Sequence, residues 1–475
     1  GAAEGEFGDW LAYDWHVIGP IDGMDVDVVD AAIAEARAET ERPSLIICKT
    51  TIGYGAPTKA GTAEAHGAAL GAEEAKGAKE ALGWEYGEFE IPDAALAHMR
   101  GALERGKQQR ADWRARLADY EAAYPAEAAQ LRRDLDGALP EGWDARFDGL
   151  FDAEAADGKA MATRVASNRV LNVAAQTVHG LVGGSGDLAP STSTRIAARG
   201  DFGFEEANAN VQFGVREHAM GAIANGMALH GGLIPYTATF LAFYDYMRPP
   251  VRLAALMEQR VVFIYTHDSV ALGEDGPTHQ PIEHLMGMRL VPGLTMIRPA
   301  DATETAAAWR AALERRNGPT ALVFTRQNVP VFDRRAYPSA GEAGKGAYVL
   351  REPASPPDAL LIATGSEVHL ALEAARLADA EGIAARVVSM PSWELFVEQP
   401  RAYRDSVLPP GVPARISVEA GATLGWERWI GERGVAVGLD RFGASAPGAV
   451  AMRELGFTPE RVLEALREAI ARAGA

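Results

Sequence analysis

Apolar positions along the chain follow two alternating patterns. Short, nearly uninterrupted apolar runs occur at 44–50 (SLIICKT), 233–240, 260–266 (RVVFIYT), 320–326 and 359–364 (ALLIAT). They are β-rich and of strand length, as strands covered on both faces would be. Stretches with helical apolar spacing occur at 26–39, 162–178, 217–230, 302–315 and 367–381, and shorter strands are predicted at 180–183 and 385–390. Strand, helix and strand across 359–390 predict a right-handed parallel βαβ unit, with Ser366 placed to cap its helix. The helix at 26–39 and the strand at 44–50 read as the tail of an α/β unit, without the strands that should precede it. Residues 93–136 are rich in Ala, Glu, Arg and Gln and predict a solvated helical connector broken at Pro125.

A chain of 475 residues, 48% of them apolar, predicts two or three domains with sizeable cores. Lys and Arg number 46 against 65 Asp and Glu, a net charge of −19. That balance argues against nucleic acid or an anionic membrane surface as the main partner. An anionic substrate would need local cations. The lone cysteine, Cys48, can form no internal disulfide. Its apolar neighbours predict a buried, inert thiol in a reducing, cytoplasmic setting. No apolar stretch approaches bilayer-spanning length, and no signal peptide is visible.

Candidate chemistry concentrates at 263–281, FIYTHDSVALGEDGPTHQP. There a buried strand stops at a loop carrying His267, Asp268, Glu274, Asp275 and His279. Ligands of open α/β sheets bind just outside such carboxyl ends. Glu217 begins a helix, GVREHAMGAIANG, that is small and apolar on nearly every side. This predicts a buried helix and a partly desolvated carboxyl with a raised pKa. Phe240, Phe243 and Tyr246 (TFLAFYDY) recur every three residues, which by itself reads as a core stripe.

These segments resemble the transketolase family, thiamine-diphosphate enzymes that move two-carbon ketol units between sugar phosphates. The resemblance is carried by WHVIGPIDGMD at 15–25, KTTIGYGAPTKAGTAEAHGAALG at 49–71, GGSGDLAPS at 183–191, FGVREHAMGAIANGMALHGG at 213–232, PYTATF at 235–240, GPTALVFTRQN at 318–328 and IATGSEVHLAL at 362–372. It implies that Glu217 activates the cofactor, that Phe243 stacks on its aminopyrimidine, and that Phe240, Tyr246, Asp187 and Leu188 line the same pocket. Arg164, Ser191, His267 and Arg326 match phosphate-binding positions. Asp275 matches the carboxylate that reads the C2 hydroxyl. His66 and His279 match imidazoles beside the reacting carbons, with His66 also close to the cofactor; imidazole suits proton shuttling there.

The resemblance also implies a fold: α/β, with a thiamine-diphosphate-binding-fold pyrimidine domain and a C-terminal transketolase-type α/β domain. The expected boundaries are a remnant pyrophosphate-binding domain at 1–92, a helical connector at 93–150, the pyrimidine-binding domain at 151–340 and the C-terminal domain at 341–475. The family's Gly-Asp-Gly metal motif is not found, so the ligands for Mg²⁺ are expected to be absent and the pyrophosphate domain to be partial. The isolated chain is then expected to be impaired, working as a homodimer or with a partner that supplies the pyrophosphate half. Sugar phosphates are the implied substrates, in the pentose phosphate pathway or Calvin cycle. A related ketol transferase such as dihydroxyacetone synthase, and a non-catalytic subunit or fragment acting by association, are the alternative readings.

Overall fold

A computed structural model describes residues 10–203 and 206–474. The chain divides into two compact units, one ending at Leu117 and the other beginning at Ala118. The first nine residues of the expected N-terminal domain lie outside the described residues.

In the first unit, β1 (His16–Asp22), helix α1 (Val26–Ala38) and β2 (Ser44–Lys49) form a parallel βαβ unit, His16 pairing with Ser44 and Asp22 with Lys49. A strand therefore does precede 44–50. It escapes the apolar pattern because Gly19 and Pro20 interrupt it. Asp25 caps α1 through its side chain, which accepts from the Asp27 and Val28 amides. Cys48 is exposed, contrary to expectation. It sits near the carboxyl end of β2, which is only half-buried over its first four residues and exposed over its last two. Helices α2 (Ala72–Ala81) and α3 (Asp93–Ala123) follow. Pro125 opens helix α4 (Pro125–Leu135) in the second unit, where its missing N–H costs nothing.

The second unit holds two sheets. The larger has six parallel strands in the order β5-β4-β6-β7-β9-β8. Its strands are β4 (Leu181–Ser185), β5 (Asn210–Gln212), β6 (Ile234–Phe240), β7 (Val262–Thr266), β8 (Thr295–Ile297) and β9 (Thr320–Phe324). Every residue of β6, β7 and β9 is buried, as a sheet covered on both faces requires. One face packs against α5 (Thr163–Ala174) and α8 (Ala302–Glu314), with Trp143 and Phe147 from the expected connector joining the same core. The other face packs against α6 (Glu217–His230) and α7 (Tyr244–Leu256). Helix α6 is not buried all round: Met220, Ala224 and Asn225 face inward, while Ile223 and Leu229 are exposed. Its small residues give too weak a contrast between faces for the pattern to show this.

A short antiparallel pair, β3 (Ala160–Ala162) with β10 (Asn328–Pro330), lies beside this sheet. The second sheet, β11-β13-β12-β14-β15, has β11 (Tyr348–Arg351) antiparallel to β13 and the rest parallel. The unit β12 (Ala359–Ala363), α9 (Glu367–Ala380), β13 (Ala385–Ser389) is the predicted βαβ. Strands β14 (Arg415–Val418) and β15 (Val435–Val437) and helix α10 (Pro459–Gly474) complete it. Ser366 makes no side-chain cap. Its hydroxyl instead donates to Glu367 and receives Gln327 Nε2.

The two sheets are joined by buried charge. The Arg298 guanidinium, wholly buried, donates to Asp268 Oδ2 at 2.7 and 2.9 Å, to Glu367 Oε2 at 2.5 Å and to Thr364 Oγ1 at 2.9 Å. Thr364 passes its own hydroxyl to Glu419 at 2.7 Å, and Arg289 grips Glu419 with two bonds at 2.6 and 2.7 Å. Burial would raise the Glu419 carboxyl, but Arg289, Arg298 and the Thr364 hydroxyl hold it down at about 2. Removing one member of such a cluster leaves buried charges unpaired. We expect Arg298→Met to lower unfolding stability by about 3–5 kcal/mol, measured by urea denaturation at neutral pH. A loss below about 1 kcal/mol, the range of exposed ion pairs, would show that the cluster holds nothing in place.

Candidate active site

All six strands of the large sheet are parallel, so their carboxyl ends form one crest. Register places Ser185 beside Ala238, Phe240 beside Thr266 and Thr266 beside Phe324. The candidate residues follow directly: Asp187 and Leu188 after β4, Glu217 after β5, Phe243 and Tyr246 after β6, His267 after β7 and Arg326 after β9.

Glu217 is 9% exposed, and no hydrogen bond to its carboxylate occurs among the described residues. A Cβ on Gly186 would sit 3.6 Å from Glu217 Oε1 and 3.5 Å from the Gly214 carbonyl. The acid therefore stands against the backbone just past β4. Asp187 is exposed and adopts a left-handed φ of 62°, while the Leu188 amide donates to Ser185 Oγ at 3.0 Å.

The aromatic residues form a wall. Phe240 and Phe243 stack with centroids 5.7 Å apart, and Phe243 stands 6.0 Å from Tyr246. His267 lies 4.0 Å from Phe240, and His279 lies 5.4 Å from Phe243. The stripe is thus only partly core: Phe240 is buried, Phe243 half-buried and Tyr246 64% exposed.

Basic groups gather beside this wall. Thr163 and Thr325 exchange hydrogen bonds, Thr325 N to Thr163 Oγ1 at 2.7 Å and Thr163 N to Thr325 Oγ1 at 2.9 Å. This locks the start of α5 to the end of β9, and so sets Arg164 beside Arg326. Arg164 donates to the Ser191 carbonyl, its Nε is buried without a partner, and no carboxylate pairs with either arginine among the described residues. Burial and the neighbouring Arg326 charge push the Arg164 pKa down. His267 is 4% exposed, with a left-handed φ of 65°, a strained setting for a residue other than glycine. Its Nδ1 is 2.9 Å from Thr266 Oγ1. Burial first, then Arg164, Arg326 and His279, lower its pKa to about 3.

The loop that carries His279 is moulded from behind. Gln280, 3% exposed, donates through Nε2 to the carbonyls of Val270, Gly273 and Ala444 at 3.3, 3.1 and 3.0 Å. Of the loop's carboxylates, Asp268 is committed to Arg298, and Asp275 is exposed without a described partner. His66 belongs to the first unit, where it is exposed and follows a 3₁₀ turn at Ala63–Ala65. Gln280 and Arg298 carry no signal in the sequence: the THQP string contains the former, but nothing in it announces three carbonyl partners.

Three family sequence models match. "Transketolase, thiamine diphosphate binding domain" covers residues 3–140, "Transketolase, pyrimidine binding domain" 159–331, and "Transketolase-like TK C-terminal domain" 346–458. Transketolase from Geobacillus stearothermophilus is 52% identical over 457 residues, 95% of this chain and 68% of that protein. Transketolase 1 of Escherichia coli is 45% identical over 473 residues, 98% of this chain and 71% of its own length. The solved transketolase of Leishmania mexicana superposes with a TM-score of 0.91 at 40% identity, over 99% of this chain and 68% of that one. The chain belongs to the transketolase family, enzymes that transfer ketol groups.

The match over 3–140 does not support the expectation that most of the pyrophosphate-binding domain is missing, and the expected absence of metal ligands is not borne out. With all three domain models matched, an impaired chain and a partner that supplies the missing half are unsupported as well.

A depressed imidazole pKa makes the unfolded chain bind the proton first. Stability contributed by neutral His267 is therefore present above about pH 6.5 and lost as pH falls from there toward 3. We expect the His267 ring to show no titration between pH 5 and 8 by NMR. A midpoint near 6.5 would mean that the ring is solvated and not set among the guanidiniums.

Proposed function

We propose that the chain transfers a two-carbon ketol unit from a ketose phosphate to an aldose phosphate with thiamine diphosphate as cofactor and Mg²⁺ as its metal. The reading rests on one juxtaposition: a buried acid and an aromatic wall on the crest, and beside them a basic cluster that no carboxylate pairs among the described residues.

The residues fit the head of the cofactor. Gly186 leaves open the space beside Glu217 Oε1 that a Cβ would fill, and Phe243 offers a half-buried ring face. Bound there, thiamine diphosphate supplies an acidic thiazolium carbon and an electron sink. Glu217 accepts and returns a proton at the aminopyrimidine ring. Phe240, Tyr246, Asp187 and Leu188 orient that ring and keep water from it. Arg164 and Arg326 grip the substrate phosphate, the former through an Nε left without a protein partner, with Ser191 and neutral His267 completing the cradle. Asp275 reads the C2 hydroxyl, and His279 moves protons between substrate hydroxyls and water. The local cationic cluster also offsets a protein that is acidic overall.

A homodimer is part of the proposal. Val215, Ile223 and Leu229 expose 74%, 50% and 57% of their surface around α6, an apolar face suited to a second copy.

The test is ketol transfer by the purified chain with thiamine diphosphate, Mg²⁺, a ketose phosphate donor and an aldose phosphate acceptor. We expect turnover, and a fall of about 10²-fold or more for Glu217→Gln. Absence of transfer by the intact chain, or an undiminished Glu217→Gln rate, would overturn the proposal. Arg326→Ala should raise KM for phosphorylated donors roughly tenfold or more, the worth of one charge-assisted bond, yet leave an unphosphorylated ketose unaffected. Equal effects on both donors would remove Arg326 from the phosphate site.

A further inference from the structure

A group of side chains outside the catalytic crest has the makings of a metal site. Asp245 lies in the first turn of α7, and Glu283 and His284 lead into the short helix His284–Arg289. One ligand atom from each of the three residues lies within 4.8 Å of the others. His284 Nε2 is 3.4 Å from Asp245 Oδ1, and His284 Nδ1 is 3.9 Å from Glu283 Oε2. The His284 side chain is only 8% exposed, while both carboxylates are 64% exposed. Among the described residues, neither ring nitrogen has a hydrogen-bond partner. A buried imidazole with both nitrogens unsatisfied is costly and calls for an explanation. Two carboxylates standing over it supply one.

We propose that Asp245, Glu283 and His284 bind a divalent cation of the zinc class. One imidazole nitrogen and two carboxylate oxygens form a three-ligand set, with water taking the fourth position. The imidazole favours zinc over calcium or magnesium, which take oxygen donors. Ligand atoms around tetrahedral zinc stand ~3.3 Å apart, close to the 3.4 Å already present between His284 and Asp245. Glu283 approaches the ring at Nδ1, so its exposed carboxylate swings toward the Nε2 side to close the set, one ligand atom from each residue already lying within 4.8 Å of the others.

Position gives the ion a consequence. Asp245 falls between Phe243 and Tyr246 in the sequence, and Glu283 follows His279 by four residues. The cation pins α7, which begins just after Phe243 and carries Tyr246, to the segment that leaves the imidazole loop. It is a clamp on the wall of the site, independent of the reaction run there.

The experiment titrates Zn²⁺ into chelator-treated full-length chain against a chromophoric competitor, and measures thermal unfolding with and without Zn²⁺. The wild type should bind one equivalent that Asp245→Asn, Glu283→Gln and the double variant each weaken at least about tenfold, since losing a direct ligand costs no less than losing an outer partner. Zn²⁺ should raise the wild-type Tm and leave that of the double variant unchanged. Both carboxylates are exposed, so these variants test the site even where His284→Gln fails to fold. Equal Zn²⁺ stoichiometry and affinity in the wild type and the double variant would overturn the proposal. So would the absence of any bound equivalent.

Discussion

The buried guanidinium of Arg298 is the contact on which the crest depends. Asp268 is the residue after His267, and Arg298 ties it to Thr364 and Glu367 of the neighbouring sheet. The strained backbone of His267 is therefore held from one side by the end of β7 and from the other by an ion pair reaching into a second core. Burying such charges is expensive unless every partner is present. Here the chain continues through Thr364 to Glu419 and Arg289, and on to the indole N–H of Trp426, which donates to Glu419 at 3.1 Å. Arg289 also lies 4.1 Å over the Trp393 ring. The outcome is a stiff mount for a single imidazole.

Two kinds of electrostatics thus sit a residue apart. Behind the crest, guanidiniums are matched to carboxylates and spend their charge on structure. At the strand ends themselves, Arg164, Arg326 and His267 stand without acidic partners among the described residues. Burial first, and then the neighbouring guanidiniums, push down the pKa of both His267 and Arg164. The reciprocal bonds between Thr163 and Thr325 enforce the crowding.

Most long elements were legible from apolar periodicity. Helix α6 at 217–230 and strands β6, β7 and β9 lie within a few residues of their predicted limits. What escaped had physical causes. Strand β1 is broken by Gly19 and Pro20, and β5 and β8 are three residues long, too short to carry a period. Cys48 looked buried because its neighbours are apolar, but a two-stranded sheet leaves the end of β2 uncovered. Of the candidate site, the strand-end residues could be found because chain position fixes them on the crest. Arg298 could not: its partners lie 30 and 69 positions away, and no local pattern links them.

Gln280 reaches across to the Ala444 carbonyl, and Gly443 leaves no room for a side chain against its amide. A segment more than 160 residues downstream therefore acts as the casting form for the loop that ends in His279. The last sheet is more than ballast behind the reaction. A side chain at position 443, just past that sheet's last strand, would displace the Gln280 amide and with it the loop that carries His279.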